Sequence, residues 1–224
     1  MLLSYSHRFL FFHVPKTAGV SVAERFEPYA HRPERLAMNR LLERVGIRVN
    51  LLLGPHRWKR FRCHTTAATV RYALPPDLFG SLFKFAFVRN PWDWLVSRYH
   101  YILQAQHHGQ RRRVIRLDGF ADYVRWQGSR RRRGQVEMLV DGRGELLVDY
   151  VGRYETLKYD YALIAQRIGI STRPLGQLNT SKRGDYRDYY DRRTREYVLD
   201  RWRRDIEELC YEFDGPERTV LPAA

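Results

Sequence analysis

Cysteine is scarce in this chain: Cys63 and Cys210 are the two among 224 residues. Two cysteines so far apart make neither a disulfide framework nor a cysteine-rich metal cluster. They are expected to be reduced, partly buried thiols. Long apolar runs are also missing. No stretch approaches the roughly 18 consecutive apolar residues of a membrane helix. The opening "MLLSYSHRFLFFHVPK" has no small-residue cleavage site, so neither a signal peptide nor an anchor with a stem is expected there. These absences predict a cytoplasmic protein with no membrane span. Acidic residues are few, 25 against 40 lysines and arginines, for a net charge of +15. That balance favours anionic partners such as phosphorylated cofactors, acidic glycans or nucleic acid.

What is present suits a folded α/β chain. Hydrophobic residues make up 44% and aromatics 14%, too rich for disorder, and the length suits one domain over 1–224. Four apolar runs read as strands: Arg8 to Val14, a weaker Trp58 to Cys63, Leu82 to Val88, and Leu146 to Val151 ahead of Gly152. Helical patterns lie between them: "GVSVAERF" after the first loop, Thr65 to Leu74 before Pro75-Pro76, a stretch from Asp93 onward, and Leu157 to Ile168 with Gly169 as a stop. A last helix is expected from about Tyr189 to Tyr211. Strands alternating with helices predict a largely parallel sheet. Two excursions, about 27–57 and 104–145, interrupt the pattern. The second holds the arginine runs 111–113 and 130–133 and a short helix around Phe120 to Trp126.

Two strand ends carry the chemistry. In "FLFFHVPKTAG" an apolar run closes on Pro15, Lys16, Thr17, Ala18 and Gly19, and a helix follows. A helix start offers unpaired N–H groups and partial positive charge. Gly19 permits close backbone approach, Lys16 adds a full charge, and Thr17 and Ser21 add hydroxyls. The Walker pattern GxxxxGK[ST] is absent, because no glycine precedes Lys16, which disfavours a nucleoside triphosphate. In "FKFAFVRNPWDWLVSRYHY" a second strand ends in Arg89, Asn90-Pro91 turns, and Ser97 lies early on the next helix. Arg89 and Ser97 suit a second phosphate. Ligands of open α/β sheets bind beyond the carboxyl ends of strands, so one ligand with two separated phosphates is expected. A turn with an exposed lysine, and an Arg89 merely paired with Asp93, are the plainer alternatives.

With these residues in view, the chain resembles sulfotransferase family 2, which includes Golgi carbohydrate sulfotransferases and bacterial relatives. "FFHVPKTAGVS" and "FKFAFVRNPWDWLVSRY" look like its two cofactor motifs. "CHTTAATVRYAL", "VGRYETLKYDYALIAQRIGI" and "LNTSKRGDYRDYYDRRTREYVLDRWRRDIEELCYEF" resemble further family segments. The resemblance implies a P-loop-like three-layer fold, a mainly parallel sheet between helices. It also implies 3′-phosphoadenosine 5′-phosphosulfate (PAPS) as sulfuryl donor, and no metal. Pro15, Lys16, Thr17, Ala18, Gly19, Val20 and Ser21 would hold the 5′-phosphosulfate. Arg89 and Ser97 would hold the 3′-phosphate, and Ser181, Lys182 and Arg183 of a late loop would touch the 3′-phosphate or the adenine side, a solvated charged loop being the plainer alternative. Val20 and Trp94 depart from the common pattern, Trp94 standing where an arginine is frequent.

The implied reaction moves a sulfuryl group to an acceptor hydroxyl, most naturally of a carbohydrate. Lys16 would stabilise the leaving phosphate. His64 is the first candidate for the base, since its residue type suits proton transfer near neutrality. It matches the histidine of the family's "GH" segment, with Cys63 in place of the glycine. A structural histidine at a helix start is the alternative. His13 is expected to pack at a strand end, His56 and Glu24 are weaker candidates for the base, and Tyr154 is expected in the core, with stacking near the adenine as the alternative. The arginine runs at 111–113 and 130–133 are expected to border the acceptor site and to attract an anionic glycan, a solvated face or flexible arm being the plainer alternative. The rival readings are a P-loop-type kinase or NTPase and a basic nucleic-acid-binding protein. The first lacks the Walker glycine, and the second leaves the paired motifs unexplained.

Overall fold

A computed structural model describes residues 1–31, 41, 44, 61, 63–130, 133–171, 175 and 183–216. Its centre is a four-stranded sheet in the order β1-β2-β3-β4, with β1 at Leu2–Ser4, β2 at Phe9–Phe12, β3 at Phe83–Val88 and β4 at Tyr150–Arg153. β2, β3 and β4 run parallel, and β1 pairs antiparallel with β2 at the edge. Helices cover both faces, so the expected α/β architecture with a mainly parallel sheet holds.

Alternation along the strands explains the layers, because successive side chains point to opposite faces. Leu10, Phe12, Ala86 and Val88 pack on one face against α2 (Ala67–Ala73) and α3 (Pro76–Ser81). Phe9, Phe11, Phe85 and Phe87 pack on the other against α1 (Gly19–Phe26) and a later helix, Leu157–Arg167. Both faces are buried, so β2 and β3 read as nearly continuous apolar runs. A third apolar cluster joins α4 (Pro91–Gln104) to two helices beyond it, through Leu95, Val96, Tyr123, Val124 and Val198.

Several boundaries differ from the sequence expectations, each for a local reason. The fourth strand lies at 150–153 rather than 146–151. Leu146 instead bridges to Val140, and the Leu147 N–H donates to the Leu139 carbonyl at 2.8 Å, closing a small turned-back segment. Gly152 sits inside β4 because a Cβ there would lie 2.7 Å from the Phe87 ring. The 104–145 stretch holds α5 (Arg111–Val114) and α6 (Gly119–Gly128), and Phe120, Tyr123 and Val124 of α6 are buried. The helix Leu157–Arg167 is α7, and Gly169 (φ 69°) ends it as expected. The single C-terminal helix becomes α8 (Arg192–Arg201) and α9 (Arg203–Glu208). Asp191 caps α8 by accepting from the Thr194 N–H, and Trp202 leaves the helical conformation between the two. Cys63 and Cys210 are both exposed free thiols, not partly buried ones, because each occupies a surface turn. The expected strand 58–63 lies mostly outside the described residues, as does most of 27–57.

Candidate active site at the carboxyl edge of the sheet

The three parallel strands end side by side, and their exits build one cavity of about 760 Å³. β2 leads into His13 to Ala18, β3 into Arg89, and β4 into Tyr154. The first loop is unusual in backbone terms. Lys16 (φ 67°) and Ala18 (φ 60°) both occupy the left-handed region, an arrangement that turns successive N–H groups toward a common point. α1 then begins with no side-chain cap, which leaves its first N–H groups for a ligand. Thr17 does not line the cavity. Its hydroxyl is buried and donates to the Val14 carbonyl at 2.8 Å, which braces the loop.

The loop is also held from across the sheet. Trp94 Nε1 donates to the Pro15 carbonyl at 2.7 Å, so the residue that departs from the family pattern has a structural task. Gly19 is required for space: a Cβ there would lie 2.0 Å from His13 Cδ2. His13 is buried as expected and stacks on Phe11. Burial, then the neighbouring His64, pushes its pKa down to about 3.

Cations converge on the cavity. Lys16, Arg89 and Arg183 all line it. Burial first, then Arg89, Arg183 and Arg98, lowers the Lys16 pKa to about 8. Its ammonium lies 4.1 Å from the centre of the Tyr101 ring. Arg89 Nε donates to Asp93 Oδ2 at 2.7 Å, and Arg183 donates to the other oxygen of the same carboxylate. One carboxylate thus holds two guanidinium groups side by side and leaves net positive charge facing the cavity. Arg89 also lies over the Tyr154 ring at 3.7 Å. Tyr154 therefore lines the cavity rather than the core, because the chain has already left β4 when it reaches this residue.

The main chain around Arg89 is fixed by residues that sequence reasoning did not single out. Gln135, fully buried, accepts from the Arg89 N–H at 2.9 Å and donates to its carbonyl at 2.7 Å. Asp205 in turn accepts from the Gln135 and Val136 N–H groups at 2.7 and 2.9 Å. Glu155 accepts from the Asn90 N–H at 2.7 Å, and burial raises its pKa. Asp93, Ser97 and Tyr101 sit at four-residue intervals on α4, on one helical face, and all line the cavity. That spacing was the signal for Asp93 and Tyr101.

His64 also lines the cavity. Its Nδ1 lies 2.8 Å from the His13 carbonyl oxygen. A carbonyl only accepts, so Nδ1 carries the proton and Nε2 keeps the lone pair. Of the other expected residues, Pro15, Ala18, Gly19, Val20, Ser21 and Ser97 line the cavity. Ser181, Lys182 and His56 lie outside the described residues. Glu24 is not among the cavity residues. Arg130 and Arg133 line a separate small cleft with Trp94, Arg98, Arg201 and Trp202.

The arrangement gathers three cations, Lys16, Arg89 and Arg183, and one histidine, His64, around a single cavity. Comparison with known protein families finds a match to the model described as the sulfotransferase family, over residues 1–214. Curated proteins give no match.

Proposed function

The chain belongs to the sulfotransferase family and is a sulfotransferase, and from that premise we propose that it transfers the sulfuryl group of PAPS to a hydroxyl of a carbohydrate. The observation that carries this reading is the placement of Lys16, Arg89 and Arg183 around one cavity at the strand ends, with the start of α1 uncapped. The volume of about 760 Å³ falls within the roughly 300–1,000 Å³ typical of small-molecule sites. Two arginines sharing the one carboxylate of Asp93 leave charge for a further anion, which fits a bisphosphate.

PAPS supplies an activated sulfuryl group on a phosphate that departs as a good leaving group. The chain's own residues do the rest. The Lys16 ammonium offsets the charge that develops on the departing phosphate, with N–H groups at the start of α1 as fixed donors. Arg89 and Arg183, with the Ser97 hydroxyl, bind the distant phosphate and so set the reacting end in place. His64 Nε2 takes the acceptor's proton, and its Nδ1–H bond to the His13 carbonyl fixes the tautomer that makes this possible. No step calls for a divalent ion. The reaction would run in the cytoplasm.

Incubation with labelled PAPS and a panel of hydroxylated glycans, neutral and anionic, tests the reading. Label is expected to move to a glycan hydroxyl, and EDTA is expected not to slow it. His64→Ala should lower kcat by about 10²–10⁴-fold. Transfer of phosphate from ATP that EDTA abolishes, with no transfer from PAPS, would replace the reading with a kinase.

A further inference from the structure

One cluster at the rim of the cavity is not used in full by this mechanism. His13, Cys63 and His64 come together from the end of β2 and the turn before α2. Each offers a ligand atom, and the three atoms lie within 4.8 Å of one another. His13 Nδ1 is 2.9 Å from the Cys63 sulfur. The rings of His13 and His64 are 4.8 Å apart between centroids. Two imidazoles and a thiol are the donor set that tetrahedral zinc prefers.

The supporting contacts also suit a metal. Metal-bound histidines commonly donate their second N–H to a backbone carbonyl, which orients the ring. His64 already does this to the His13 carbonyl, so Nε2 is the nitrogen left to bind. His13 is buried against Gly19 and Phe11, so one ligand is rigid. Cys63 and His64 are exposed, so an ion can reach the site from solvent. The fourth position would take water.

We propose that His13, Cys63 and His64 form a zinc-binding site whose occupation shuts the enzyme off by engaging the His64 lone pair. On binding, the Cys63 thiol releases its proton to solvent and the thiolate coordinates the ion. No electron is transferred, and chelation reverses the event. Cys63 is what turns a pair of histidines into a three-ligand site. The inhibitory half of the proposal rests on His64 being the base, whereas the binding half does not.

Cobalt titration followed by absorbance tests the binding half without any activity. The wild type is expected to give a thiolate-to-cobalt charge-transfer band and the intense visible bands of a tetrahedral ion, at one ion per chain, reversed by zinc. Cys63→Ser should abolish the charge-transfer band, while Cys210→Ser, which alters the one other cysteine, should keep it. His64→Ala should weaken zinc affinity by at least the roughly 10–100-fold that losing even an outer-shell partner costs such sites. Absence of the band, or its loss in Cys210→Ser instead, would overturn the site. In the transfer assay, zinc should inhibit the wild type, and Cys63→Ser should keep its metal-free rate and resist zinc. Equal zinc sensitivity of the two proteins would overturn the inhibitory role. A chain that binds cobalt through Cys63 yet transfers no sulfuryl group would instead count against the proposed function, leaving the metal site standing.

Discussion

Lys16 is held in an unusual state. Burial and three arginines lower its pKa to about 8 from an ordinary 10.5, because they penalise its charged form. A bound bisphosphate would favour that form and raise the pKa again. The sign follows: the free protein loses the Lys16 proton as pH rises through about 8, while the complex retains it. Affinity for adenosine 3′,5′-bisphosphate is therefore expected to be full below pH 8 and to fall above it. Calorimetry at pH 8 in buffers of different ionisation enthalpy should reveal proton uptake on binding, and Lys16→Met should abolish the uptake. Gly19 acts at the same scale by being small. Gly19→Ala places a Cβ 2.0 Å from His13 Cδ2. Overpacking of this kind costs about 1–3 kcal/mol, so thermal denaturation should show a lower Tm, with weakened bisphosphate binding. Lys16 and Arg89 were legible because strand-end cations before a helix have a physical meaning in sequence, and Ser97 because it lies early on the helix that follows Arg89. Gln135 was not, since its partners are the main-chain groups of Arg89, 46 residues away.

Between elements, the link from α9 to the end of β3 matters most. Asp205 is buried, with its pKa raised to about 6 by that burial, yet it accepts two main-chain N–H groups. Those donors belong to the segment that holds Arg89 through Gln135. Asp205→Ala leaves both unsatisfied, and each such group costs about 1–3 kcal/mol. Denaturant unfolding should register the loss. Gln135→Ala should weaken bisphosphate affinity while the Lys16 side chain stays intact, as titration calorimetry would detect. The apolar elements were readable because β2, β3, α1 and α4 carry strong local patterns. β1 and α3 are too short for a pattern to accumulate, with three and six residues. The split of the last helix at Trp202 was hidden because its apolar stripe runs through the break. The displacement of β4 arose because residues 146–148 are equally apolar and are claimed by the turned-back segment, a tertiary choice that propensity cannot register.

Across the whole molecule, the charge of +15 is distributed with purpose at more than one place. Part of it faces the cavity through Lys16, Arg89 and Arg183. Another part surrounds the small cleft lined by Arg98, Arg130, Arg133 and Arg201, with Trp94 shared between that cleft and the Pro15 loop. A surface of this sign would draw an anionic glycan toward the enzyme, more strongly at low salt. The pair Arg130→Glu and Arg133→Glu should raise the acceptor KM for an anionic glycan and leave bisphosphate affinity unchanged. Steady-state kinetics with each substrate varied in turn would separate the two. Among the described residues, no helix is long and apolar enough to cross a membrane.

We propose that the strand ends form a two-phosphate site with Lys16 at one end and Arg89 at the other. Titration calorimetry of adenosine 3′,5′-bisphosphate against the wild type, Lys16→Ala and Arg89→Ala tests it most directly. Binding is expected at one site per wild-type chain, clearly weakened in both variants, with adenosine 5′-monophosphate losing the dependence on Arg89. Wild-type protein that fails to bind the bisphosphate, or binds it with no change in either variant, would contradict it.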